Sequence, residues 1–251
     1  MRAILLLCLI GIGAPSAAAQ VCGRYDVRGA YGIQLYGTTT IGANGTQPMA
    51  GIGRVYFGDD GGVTAVTSVN LDGYFLGNPV TGTYTFNNHC ALTFDVRDQS
   101  GGTEHFRGTA TEGGQTVEIR QTDPETGERG VLERTPATCR NASFQGVFTF
   151  SLSGTASQFD TEEAPGSAFS IEGTVTADGA GNLVFASAAG KTTGTYQLDS
   201  DCVAEIELGI LKGDSAGILK LRGVLVKQGK LLLAAESDPA RIATARFTAK
   251  Q

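Results

Sequence analysis

The 251-residue chain has no tryptophan, two histidines, two methionines and five cysteines. Two histidines leave little material for imidazole chemistry or a histidine-rich metal centre. Proline is ordinary at seven residues, and no Gly-X-Y period runs through the chain, which excludes a collagen-like fibre. Positive charge is scarce: the formal net charge is −6, whereas a nucleic-acid binder needs a basic face for the phosphates. Long hydrophobic runs are missing too. The longest, about ten residues near the N-terminus, is half of the ~20 that a membrane-spanning helix requires. Charged residues make up 18% and hydrophobic residues 41%, enough for a core and too little charge for a disordered polyelectrolyte. What is present in excess is glycine, 36 residues, about twice the usual ~7%.

The first nineteen residues combine Arg2, the apolar run Ile4 to Ile12, and the small residues Ala17, Ala18 and Ala19. That is the pattern of a secretory signal peptide cut after Ala19. The expectation is therefore a secreted or periplasmic protein without a transmembrane segment. Four cysteines remain after the leader: Cys22, Cys90, Cys139 and Cys202. An even number in an exported chain suggests two structural disulfides, and no C-x-x-C spacing points to zinc or redox chemistry.

Self-comparison shows that the chain is written twice. Cys22 to Tyr31 lies over Cys139 to Phe148 without a gap, and Thr81-Gly82-Thr83-Tyr84 with Cys90 lies over Thr193-Gly194-Thr195-Tyr196 with Cys202. Phe106-Arg107-Gly108 matches Leu221-Arg222-Gly223, and order is kept throughout. The units run 22–138 and 139–251. Duplication makes Cys22–Cys90 and Cys139–Cys202 the simplest pairing, although a crossed pairing between units also respects the symmetry. Each intra-unit bridge would contribute about 4 kcal/mol by restricting the unfolded chain. Seven glycines of the first unit recur in the second, and turns or strand ends are where they are expected.

Within a unit the hydrophobic period is two. Leu92, Phe94 and Val96 alternate with Thr93, Asp95 and Arg97, as in a half-buried strand. Val224-Leu225-Val226 and Leu231-Leu232-Leu233 flank a glycine-containing turn and read as a hairpin. The fold class is all-β: two tandem antiparallel barrels, or sandwiches, of seven to eight short strands each.

The repeated opening Cys139-Arg-Asn-Ala-Ser-Phe-Gln-Gly-Val-Phe and the Thr-Gly-Thr-Tyr…Cys segment resemble a sparsely characterised group of exported bacterial proteins with duplicated β units. In size and strand count a unit is also similar to calycin and allene-oxide-cyclase-like barrels. The first resemblance implies export, and neither supplies a catalytic residue.

Nucleophile, metal and dinucleotide motifs are absent, so no catalytic residue, metal ligand or cofactor is assigned. His89 and His105 lack histidine counterparts. The acidic turn Gly58-Asp59-Asp60-Gly61-Gly62 reads as a hairpin turn rather than a calcium loop. Polar residues retained in both units are Arg107 with Arg222, Asp123 with Asp238, Arg134 with Arg246, and Asp95 with Glu207. The candidate ligand-binding residues are Tyr84, Tyr196, Arg107 and Arg222. The units differ in charge, the first having eight Arg and no Lys against thirteen acids. Three readings follow: a non-catalytic exported barrel that binds a small apolar or glycan-like ligand, a cyclase- or isomerase-type barrel enzyme, and an envelope-associated structural module.

Overall fold

The computed structural model describes residues 22, 27–40, 45–111, 113–212 and 215–250. The signal peptide expected at 1–19 lies outside the described residues. The first barrel comprises β1 (Gly29–Thr40), β2 (Thr46–Phe57), β3 (Gly62–Leu71), β4 (Tyr74–Phe86), β5 (Ala91–Asp98), β6 (Thr103–Thr111), β7 (Thr116–Gln121) and β8 (Arg129–Arg134). The second comprises β9 (Gln145–Ala156), β10 (Ala168–Asp178), β11 (Asn182–Ser187), β12 (Gly190–Leu198), β13 (Val203–Lys212), β14 (Ser215–Val226), β15 (Leu231–Glu236) and β16 (Arg241–Ala249). Within each barrel every strand pairs antiparallel with the next, β8 closes on β1, and β16 closes on β9. Both units are thus closed eight-stranded up-and-down barrels, not sandwiches. No described helix is long and apolar enough to cross a membrane.

Alternation places one side-chain set inside. In β5, Leu92, Phe94 and Val96 are buried while Thr93 and Arg97 are exposed. Disulfides Cys22–Cys90 and Cys139–Cys202 fix the same end of each barrel, so the pairing is within units. Cys90 and Cys202 both take a left-handed backbone, φ +61° and +67°. Asn87 and Asp199, three residues earlier, hold these turns by accepting backbone N–H bonds from His89 and Ala91, and from Asp201 and Val203.

The repeated glycines are not all turn residues. Gly82 and Gly194 lie inside β4 and β12, without left-handed backbone. A Cβ at either would collide with the neighbouring strand, at the carbonyl oxygen of Asp95 or Glu207. The Thr-Gly-Thr-Tyr motif is a site of close strand approach, as tight barrel curvature demands.

The barrels stand side by side with their disulfide ends pointing the same way. β15 departs from alternation because all six of its residues are buried. Leu232, Ala234 and Glu236 share register with the inward positions of β14, while Leu231, Leu233 and Ala235 face the first barrel together with Val224 and Val226. Gly32 of β1 admits this contact: a Cβ there would lie 2.7 Å from Val226 Cγ1 and 2.9 Å from Val224 Cγ1. Ile52 of β2 belongs to the core of the second barrel. Gln34 Nε2 donates to the carbonyls of Ala234 (2.8 Å) and Ala245 (2.9 Å) and is buried.

Two polar contacts seal the ends of this interface. At the disulfide end, Lys227 Nζ lies 3.4 Å from the buried carboxylate of Glu133. At the opposite end, the turn at Asp72 and Gly73 meets the β9–β10 loop: Tyr74 packs edge-on against Phe159 at 5.1 Å, and Asn70 Nδ2 donates to the Arg241 carbonyl at 2.9 Å. The β9–β10 loop, which carries Asp160, Glu162 and Glu163, is therefore partly an interface element.

Gln34→Leu keeps the volume but leaves two buried carbonyls without the amide. It is expected to cost about 1–3 kcal/mol in chemical denaturation. A stability equal to wild type would show that the cross-barrel amide contributes nothing.

Candidate functional site

An eight-stranded barrel is just wide enough for its own side chains or for one small ligand. The two barrels resolve that choice differently. In the second, Phe150 of β9 stands opposite Phe247 of β16, with ring centroids 4.8 Å apart, and Phe144, Phe148 and Phe185 fill the space around them. In the first, the same pair of positions holds Ile33 and Leu132. Smaller side chains leave a cavity of about 530 Å³ inside the barrel, opening at the end away from the disulfide.

The inner wall of this cavity is apolar: Ile33, Leu35, Val55, Val69, Val80, Phe94, Val96 and Phe106. Its mouth is acidic. Asp98, Glu104 and Glu128 line it, with the hydroxyls of Thr39, Thr40 and Ser100. Glu104 shares the inward parity of Phe106, and Asp98 that of Phe94 and Val96. Glu128 is only 3% exposed. Burial pushes its carboxyl up to about 7, the negative charge of Glu104 adds to the rise, and a hydrogen bond with Thr39 opposes it. Glu104 is raised as well, by burial first and then by the charges of Asp123 and Asp98. Asp98, at the open rim, is held low by Ser100, whose hydroxyl donates to it at 2.7 Å, and by the Gly102 N–H at 2.9 Å. Among the described residues no Lys, Arg or His pairs with Glu104 or Glu128.

Strand register shows that the second barrel lacks this mouth. Ile210, Leu219 and Ala243 occupy the places of Asp98, Glu104 and Glu128, and all three are buried. Phe169 stands where Met49 does, and the Arg241 guanidinium lies over its ring at 5.0 Å. A buried carboxyl remains there, Glu236, raised to about 8 chiefly by burial, with Arg241 at 3.8 Å.

The residues proposed from sequence lie elsewhere. The Tyr84 hydroxyl donates to the Gly58 carbonyl at 2.7 Å, and its ring packs edge-on against Phe57. The Tyr196 hydroxyl lies 2.9 Å from the Asn141 carbonyl and 2.8 Å from that of Phe144. Arg107 is exposed on the outer face of the first barrel, in a groove with Glu118, Arg120 and Arg129. Arg222 lines an outer groove of the second barrel beside Tyr196, and also the cleft between barrels near Arg54 and Asp201, which pair with each other. The four are not brought together, and none lines the cavity of the first barrel.

The other polar expectations resolve as follows. His105 Nδ1 lies 2.6 Å from Asp123 Oδ1, whose bond and charge raise the imidazole; His89 sits on the turn at the opposite end of the barrel. The acidic stretch Gly58 to Gly62 is the β2–β3 turn, with the Gly62 N–H donating to Asp60. Arg134 stands opposite Tyr31 in register, where the second barrel places Ala249 opposite Phe148. The pairing of Arg134 with Arg246 by sequence is therefore incorrect. Arg134 instead plugs the disulfide end, with Nη2 2.6 Å from the Tyr31 hydroxyl and its guanidinium over that ring.

Retention in both units does not single out the three mouth carboxyls. Their signal is the reverse: acids on the core parity of a strand in one copy, apolar residues in the other.

The chain matches no protein-family model and no curated protein. Among solved structures, a Nitrosomonas europaea protein provisionally assigned as AttH is similar at 10% identity and a TM-score of 0.27, over 97% of this chain and 99% of that one. A similarity of that level carries neither fold nor function across.

The Glu128 carboxyl binds its proton more tightly folded than unfolded. Its contribution is fully present below about pH 4.5, the unfolded value, and is lost as pH rises through the folded value of about 7. Glu128→Gln is thus expected to gain stability on wild type between pH 5 and 7, approaching an upper bound of about 3 kcal/mol above pH 8. Thermal melts of both proteins at pH 4.5 and 8 check this; an equal difference at both would exclude it.

Proposed function

We propose that this is an exported, non-catalytic binding protein that takes a small, largely apolar ligand into the mouth of its first barrel. The supporting observation is the 530 Å³ cavity, which falls in the usual range for small-molecule sites and is walled by apolar side chains. The second barrel serves as a filled scaffold and supplies the wall against which the first is braced. On this reading the ligand contacts belong to Ile33, Val69, Val80 and Phe106 rather than to Tyr84, Tyr196, Arg107 and Arg222. The two disulfides suit an oxidising compartment outside the cytoplasm, as export requires.

The neutral apolar fluorophore N-phenyl-1-naphthylamine tests the reading. Saturable fluorescence enhancement at one site per chain is expected, reduced at least tenfold in affinity by Val69→Phe with Val80→Phe, provided the variant melts as a folded protein. No enhancement with the wild type, or enhancement unchanged in a folded filled variant, would overturn it.

A further inference from the structure

The mouth of the first barrel says what kind of head group the ligand carries. Three carboxyl groups line an opening in the apolar wall, and among the described residues no basic side chain lines it. Glu128 is 97% removed from solvent, and among the described residues its side-chain partner is the Thr39 hydroxyl. A buried carboxylate facing another without a cation is an expensive arrangement, normally relieved by pairing or by holding a proton. The duplicated scaffold shows that the fold does not require it, since the sister barrel closes the same place with Ile210, Leu219 and Ala243. The cost is therefore not one of closing a barrel.

We infer that the first barrel binds cationic amphiphiles, a primary or secondary ammonium group on an apolar chain or ring, with the ammonium held between Glu104 and Glu128 and the apolar part in the barrel. An ammonium carries two or three N–H donors and one positive charge, which matches two carboxylates that lack a cation. Asp98, at the rim and already bonded by Ser100 and Gly102, stays ionised and attracts the head group as it enters. A carboxylate-headed lipid of the same length would add a fourth acidic group to these three and is disfavoured by charge. A neutral alcohol would gain a hydrogen bond but no ion pair.

This inference rests on the cavity reading, and displacement of the neutral fluorophore separates the two. Decylamine, decanol and decanoate, each below its aggregation threshold, share one chain and differ in the head. At pH 7.5 decylamine is expected to displace the fluorophore at least tenfold more tightly than decanol, and decanoate more weakly than either. Glu128→Gln and Glu104→Gln, isosteric and each checked by thermal melting, are expected to lower decylamine affinity about tenfold while leaving decanol within twofold. If the fluorophore binds but decanol or decanoate competes as well as decylamine, the cationic assignment falls and the apolar cavity stands. An amine preference that survives in the double Gln variant also overturns the assignment. Failure of the fluorophore itself removes both.

Discussion

A closed eight-stranded barrel has a nearly fixed cross-section, and everything else in this protein answers to that constraint. The sheet cannot spread or collapse to suit its contents, so each inward position is either filled or left as space. In the second unit, Phe150 and Phe247 meet across β9 and β16 and use that space. In the first, Ile33 and Leu132 do not, and the remainder becomes a cavity. The second unit thus sets an aromatic pair where the first has two aliphatic side chains, without any change in topology or strand number.

Closure also explains why polar groups appear where they do. At the disulfide end of the first barrel, Arg134, Tyr31 and the Gly114 carbonyl form a hydrogen-bonded plug, so the chamber has a floor. At the other end, carboxyl groups occupy inward positions where the barrel meets water. The raised proton affinity of Glu104 and Glu128 reflects the same geometry: low-dielectric walls on one side and like charges on the other.

Much of this architecture was legible in the sequence. Duplication and the alternation in β5 follow from spacing and period, while the within-unit cysteine pairing is the simpler of two that the repeat allows and the structure decides it. The failures are equally physical. A run such as Leu231 to Glu236 looks like an uninterrupted apolar strand, because sequence does not say that a second barrel covers its outer face. Gly82 reads as a turn residue until the neighbouring Asp95 carbonyl is placed against it. Retention in both copies points to Arg107 and Arg222, whereas the cavity mouth is lined by Asp98, Glu104 and Glu128, whose places in the second copy hold apolar residues. Matching Arg134 to Arg246 requires a three-residue gap after Asp123 that the register does not contain, since Gln121 with Glu236 and Arg134 with Ala249 keep one constant offset.

The face formed by Val224, Val226, Leu231, Leu233 and Ala235 has a consequence for the history and handling of the chain. It is an apolar outer surface on a barrel whose own interior is already full, and only the sister unit covers it. Cut free, the second barrel would present a greasy strip to water and seek another surface to hide it. Two copies of one unit therefore differ outside as well as inside: the second turns an apolar strip towards its neighbour, and the first holds the cavity.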